Sequence, residues 1–269
     1  MADNTSLVES TQREGVVTLR LNRPERRNAL DAELLRALAA ALDALRDDPS
    51  ARVVVLRGNG PVFSSGIDHS LLLDVMQRSQ TVPFGHLHRD LQEVFHRIER
   101  MEKPVIAALH RACVGMALEL ALACDLRVAT ADCALGLPEI AFGIVPDVGG
   151  TTRLVRAIGF QRARQLILTG RMIAAARAAE LGLVDEVVRD GAALDERVAA
   201  LAERLKGFSA LALGKAKGLL RHAADSSSGT SFELEGLTQE VLLRQPDLAE
   251  RFPAALALIR EGIAKPETT

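Results

Sequence analysis

The feature that most constrains this chain is a pair of short runs with no polar residue in them, Val53-Val54-Val55-Leu56 and Val105 to Leu109. A strand with one wet face alternates apolar and polar side chains, so a strand apolar throughout must be covered on both faces. The segments around these runs supply the covering layers. Asp31 to Arg46 reads as a helix with Leu34, Leu35, Leu38, Leu42 and Leu45 on one face. Leu91, Val94, Phe95 and Ile98 mark a second amphipathic helix, stopped before Pro104, and Gly115 to Cys124 is a nearly all-apolar third. Val16 to Leu21 and Leu126 to Ala129 read as further strands. This alternation predicts an α/β core with largely parallel pairing. Residues 70 to 88, with Pro83 and Gly85, show no clear period and are expected to be a mobile region. Beyond about residue 150 the pattern is mostly helical, with only Leu183 to Val188 reading as a strand. The serine-rich DSSSG at 225–229 separates the last helices, and the PETT ending is expected to be loose. The chain has 269 residues and neither an internal repeat nor a low-complexity linker. We therefore expect one core over 1–200 with a helical C-terminal region over 201–269, rather than two independent domains.

Composition removes several classes of function. The formal charge is -2, with a pI near 6.3 and no basic stripe, which argues against a nucleic-acid partner. Aromatics are 3%, with no Trp and no Tyr, so base-stacking platforms are poorly supplied. The apolar window from Ile106 to Cys124 is interrupted by His110, Arg111 and Glu119, which a membrane span would not tolerate. Cys113, Cys124 and Cys133 lack metal-ligand spacing and read as reduced core thiols. The opening MADNTSLVESTQREGVV has no basic start, no apolar stretch and too many acids for a transit peptide, so a cytoplasmic location is expected. No dinucleotide fingerprint, Walker loop or nucleophile elbow is present. His86 and His88 read as surface histidines and His110 as a packed neutral one, so no metal site is expected.

Two stretches remain that carry chemistry. Phe63-Ser64-Ser65-Gly66-Ile67-Asp68 is a small-residue loop directly after a buried strand. Glu119 is the only charged residue between Arg111 and Asp125, on an otherwise apolar helix. A buried carboxylate costs several kcal/mol unless paired, protonated or used, so either an ion pair, with Arg127 as a candidate, or catalysis is implied. Glu139, after Pro138, is taken alone a loop carboxylate.

Together with LNRPERRNAL, LPEIAFGIVPDVGGTTRLVR and LTGRMIAAARAAELGLVDEVV, the FSSGID loop and the ACVGMALELALACDLRVA segment resemble the crotonase superfamily, the enoyl-CoA hydratase/isomerase family. The likeness runs over about residues 14 to 190 and is weaker beyond. It implies a crotonase-like spiral of ββα units with a C-terminal helical trimerisation region, assembled as a homotrimer or a dimer of trimers. It also implies an acyl-CoA thioester partner, with coenzyme A as part of the substrate and no separate cofactor. By motif position, the backbone N–H groups of Ile67 and Met116 form the oxyanion hole. A helix N-terminus with unpaired N–H groups suits a developing enolate. Arg26, Arg27, Ala29, Ser65, Gly66, Asp68 and Gly115 fall on substrate- and CoA-binding positions, although Arg26 and Arg27 read equally well as a solvated turn.

Glu119 and Glu139, twenty residues apart, fall on the glutamate pair of enoyl-CoA hydratases. Hydration of a 2,3 double bond needs one carboxylate to deprotonate water at C3 and a second group to deliver a proton at C2. Two carboxyls in one apolar site repel, so one should hold a raised pKa. The acid role is assigned to Glu139 and water activation to Glu119. Asp147 stands where dienoyl-CoA isomerases of the superfamily carry an acid, which makes isomerisation with Glu139 and Asp147 the competing reading. Its structural alternative is a cap on the helix beginning near Val148. A non-catalytic acyl-CoA-binding member is the third reading. Met116 and Arg111 depart from the family's glycines, which bears on the acyl pocket and on the loop entering the helix.

Overall fold

The computed structural model describes residues 6–264, so the PETT ending lies outside the described residues. Two compact units divide at Gly214 and Lys215. The first opens with an antiparallel hairpin of β1 (Val8–Arg13) and β2 (Val16–Leu21). After a 3-10 turn over Pro24–Arg26 comes α1 (Ala32–Arg46), whose N-cap Asp31 accepts from the Leu34 N–H at 2.8 Å. The helix buries the five leucines that its sequence period picks out.

Then follow β3 (Val53–Gly58), α2 (His69–Arg78), α3 (Phe84–Arg100), β4 (Val105–Leu109), β5 (Ala112–Val114), α4 (Met116–Ala123), β6 (Leu126–Thr130) and β7 (Ala134–Gly136). A 3-10 turn over Glu139–Phe142 leads to α5 (Gly150–Ile158), α6 (Phe160–Thr169), β8 (Ile173–Ala174), α7 (Ala175–Glu180), β9 (Glu186–Val188) and α8 (Gly191–Lys206). The main sheet has the order β1-β2-β3-β4-β6-β9, parallel except for the first pair; β5, β7 and β8 form a small second sheet. α9 (Ala210–Ala223) runs across the division in the chain. The second unit contains α10 (Ser228–Leu243), capped by Ser227, and α11 (Leu248–Ala264).

The all-apolar strands are covered on both faces. Val54, Leu56, Val105, Ala107 and Leu109 join the main core with α1, α3 and α4, whereas Val53, Val55, Ile106 and Ala108 pack with Leu194, Val198 and Ala202 of α8. α8 thus belongs to the first unit, and the chain divides within α9 rather than at residue 200.

Residues 70 to 88 depart from the irregular segment expected of them. Most of their length is helical, as α2 and the first turn of α3. Asp68 caps α2 by accepting from the Ser70 N–H at 2.9 Å, while Leu71 and Val75 alone face the core. A stripe that narrow leaves little period to read. The strand read at Leu183 to Val188 is confined to Glu186–Val188, because Leu183 and Val184 are buried in a turn tied to Ala178.

Candidate active site

The 63–68 loop is built from the inside outward. Ser64 is buried and donates through Oγ to the Asn28 carbonyl at 2.8 Å, while accepting from the Gly66 N–H at 3.1 Å. On either side of Ile67, the Leu30 N–H bonds the Gly66 carbonyl at 2.7 Å and the Asp68 N–H bonds the Leu30 carbonyl at 2.9 Å. This parallel bridge turns the N–H of Ile67 away from Leu30. Among the described residues it has no acceptor.

The second amide comes from the start of α4. Gly115, the N-cap, has φ +55°, and a Cβ there would lie 2.8 Å from Glu139 Oε1. Only glycine fits both demands. The Met116 N–H, one of the unpaired donors of a helix N-terminus, likewise has no acceptor among the described residues. Its side chain lies in the main core. The two loops touch: a Cβ on Gly66 would stand 2.4 Å from the Val114 carbonyl oxygen and 3.6 Å from the Met116 nitrogen.

Three carboxyls gather beside these amides. Glu119 is 1% exposed, and its Oε1 accepts from the Gly150 N–H at 2.7 Å and the Val148 N–H at 3.2 Å. Burial pushes its pKa up to about 8 against the pull of the Gly150 hydrogen bond, with Glu139 and Asp147 adding repulsion. Glu139 opens the second 3-10 turn; its Oε2 is buried without a partner, and burial with the Asp147 charge raises its pKa. Asp147 is raised as well, chiefly by burial, with His88 opposing. Neither structural alternative for these acids is realised. Arg127 bonds the Leu183 and Cys124 carbonyls and stands 3.6 Å from Asp185. The N-cap of α5 is Gly149, with no side-chain cap, and the carboxyl on that helix end is Glu119 rather than Asp147.

A family profile described as enoyl-CoA hydratase/isomerase matches residues 11–250. The chain belongs to the enoyl-CoA hydratase/isomerase family. A 2,3-dehydroadipyl-CoA hydratase of Escherichia coli K12 is 37% identical over 221 residues, covering 82% of this chain and 84% of that protein. A peroxisomal Δ(3,5)-Δ(2,4)-dienoyl-CoA isomerase of Arabidopsis thaliana is 31% identical, covering 93% of each. The crystal structure of an enoyl-CoA hydratase from Bacillus anthracis superposes with a TM-score of 0.85 at 31% identity, covering 93% of this chain and 96% of that one. The architecture described above is the crotonase fold of this family.

The residues that the family pattern puts at the coenzyme lie together. The Ser65 N–H bonds the Arg27 carbonyl at 3.0 Å, and Arg26, Arg27 and Ser65 are exposed while Ala29 and Gly66 are buried. The Asp68 carboxylate is engaged within the protein, capping α2 and pairing with Arg23 at 3.2 Å. Arg111 holds a left-handed conformation with φ +58° and pairs with Asp132 at 3.3 Å. A cleft of about 780 Å³ at the carboxyl ends of the parallel strands contains none of these acids and amides. Three of its arginines are satisfied by Asp195, Asp132 and Asp190.

Sequence reasoning missed the supports of the acids. His88, read as a surface histidine, is half-buried and its Nε2 bonds the Asp147 carbonyl oxygen, which also accepts from Gln92 Nε2 at 3.1 Å. Arg153, 7% exposed, makes a two-point pair with Glu99 and donates to the Val148 carbonyl at 2.7 Å. The spacing of 88, 92 and 99 along one helix face was the available signal. Among the described residues no cluster of His, Cys, Asp and Glu is placed to hold a metal, and no helix is long and apolar enough to cross a membrane.

Proposed function

We propose that this enzyme adds water across the 2,3 double bond of a 2-enoyl-CoA thioester. The observation that carries the reading is the pair of amides without acceptors, on Ile67 and Met116, beside the unpartnered carboxylate oxygen of Glu139. A thioester oxygen held between those amides is stabilised as it becomes an enolate, each donor contributing about 2.7–4 kcal/mol to the barrier. Electron withdrawal makes C3 electrophilic. Glu119 takes a proton from water as the water oxygen bonds C3, and Glu139 gives a proton to C2 as the enolate collapses. The carboxyls titrate as a coupled set, and the reactive form is the one whose proton sits on Glu139. With its pKa raised to about 8, Glu119 once ionised is a stronger base than an ordinary carboxylate, and its ionised fraction grows as pH approaches that value. The thioester and the hole supply the electrophilic activation, so this chemistry calls for no metal or redox group, and coenzyme A enters with the substrate.

Asp147 supports a second reading, dienoyl-CoA isomerisation, because it is free of the capping role and shares the field of the two glutamates. The test is turnover of crotonyl-CoA, followed by loss of the conjugated thioester absorbance. Glu139→Gln is expected to reduce hydration by at least about a hundred-fold while acyl-CoA affinity stays within about two-fold. Asp147→Asn is expected to spare a 2-enoyl substrate and impair a 3,5-dienoyl one. Acyl-CoA binding without any turnover in the wild type sinks the enzymatic reading.

The exposed apolar run Ile140, Phe142, Ile144 and Val145 directly follows Glu139 and supports assembly as a homotrimer or dimer of trimers. Cys113, Cys124 and Cys133 are free and buried, which supports a reducing compartment such as the cytoplasm.

A further inference from the structure

One peptide unit connects α3 to Glu119. On its carbonyl side, the Asp147 oxygen accepts from His88 Nε2 and from Gln92 Nε2 at 3.1 Å. On its other side, the Val148 N–H donates to Glu119 Oε1 at 3.2 Å, next to the Gly150 N–H at 2.7 Å. The following carbonyl, that of Val148, is held at 2.7 Å by Arg153, which is itself locked to Glu99 of the same helix. The turn that presents two donors to Glu119 is therefore gripped on two successive carbonyls by groups tied to one face of α3.

We infer that His88 and Gln92 are positioning residues that fix and polarise the Asp147–Val148 peptide, and through it set the orientation and basicity of Glu119. A donor on a peptide oxygen draws electron density from the nitrogen and strengthens donation by its N–H, by about 10–30% per bond in a hydrogen-bonded chain. A stronger N–H donor favours the ionised form of the carboxyl that accepts from it. His88 acts with its proton on Nε2, its ring stacked on Phe84 at 5.6 Å. The groups that act on Glu119 from its other sides are Glu139 and Asp147, which repel its charge, and Arg153, which attracts it. His96, between Gln92 and Glu99 on α3, is 3.8 Å from Glu93 and 4.0 Å from Glu99, and pairs with those two carboxylates.

The inference rests on the proton-handling role proposed for Glu119, and its test is read independently of turnover. Glutamate carboxyl carbons are labelled with carbon-13 in the full-length protein, and the Glu119 resonance is assigned by its loss in Glu119→Gln. His88→Ala is expected to raise the Glu119 midpoint by about half a pH unit. Gln92→Met shifts it in the same direction, and the double variant shifts it further. His88→Gln, which restores an N–H donor, returns the midpoint most of the way. In parallel, kcat on crotonyl-CoA falls about ten-fold in His88→Ala with KM within about two-fold, and the pH limb moves with the midpoint. A midpoint unmoved in the double variant overturns the inference, as does equal loss in His88→Ala and His88→Gln, or a lower kcat without a shift. If His88→Ala does not fold, His88→Gln and Gln92→Met decide the matter. A wild-type protein that fails to hydrate, yet shows the shift, removes the proposed function and leaves this inference standing.

Discussion

Glu119 sits on a helix whose eight residues are all buried, and among the described residues its hydrogen-bond donors are main-chain N–H groups. Its pKa rises from an ordinary 4.5 to about 8, so between these values the folded state binds a proton that the unfolded chain releases. The stabilising contribution is complete below pH 4.5 and is lost as pH climbs through about 8. Glu119→Gln removes that loss. Thermal unfolding is expected to show the variant more stable than wild type at pH 9, by an amount on the order of a few kcal/mol, with little difference at pH 4. The same variant loses hydration. Gly150→Ala tests the other side of the contact, since the added Cβ would lie 2.4 Å from Glu119 Oε1 and 2.5 Å from its Cγ. Displacing the carboxyl is expected to lower kcat by about a hundred-fold while titration calorimetry shows acyl-CoA binding retained. Glu119 was legible in the sequence because a lone charge on an apolar helix demands an explanation. Its partners were not, because main-chain amides carry no residue-type signature, and the support from His88 showed only in its spacing to Gln92 and Glu99.

At the scale of elements, α2 holds the amide of Ile67 in place. Asp68 follows Ile67, caps α2 through the Ser70 N–H and pairs with Arg23, which also reaches Asp31 at 2.9 Å ahead of α1. Asp68→Ala is expected to lower stability by about 1 kcal/mol, the usual cost of a lost cap, measured in a urea titration. It is also expected to lower kcat/KM beyond what the loss of stability explains, because the first turn of α2 frays beside the proposed oxyanion hole. The parallel core was legible from Val53 to Leu56 and Val105 to Leu109, since strands covered by α8 on one face and α4 on the other have no polar position to show. β1 was not, because only Val8 of its six residues is buried and the five that follow are all polar, with no alternation to read. β8, with two residues, is too short for alternation to appear.

At the scale of the molecule, the apolar side chains after Glu139 are among those of the first unit that a lone chain leaves exposed. Phe142 is 72% exposed and Val145 58%. Phe142→Asp is expected to dissociate the proposed trimer, read as a fall in mass by analytical ultracentrifugation, with the fold retained by circular dichroism. An unchanged mass would remove this face from the interface. The contact of Gly66 with Val114 carries a different consequence. It joins the segment bearing one amide to the segment bearing the other, so the cradle proposed for the electrophile stands assembled before any thioester arrives. On that proposal, entry of the substrate orders nothing at the reacting carbon, and preference among acyl groups can drift through changes elsewhere without retuning the chemistry.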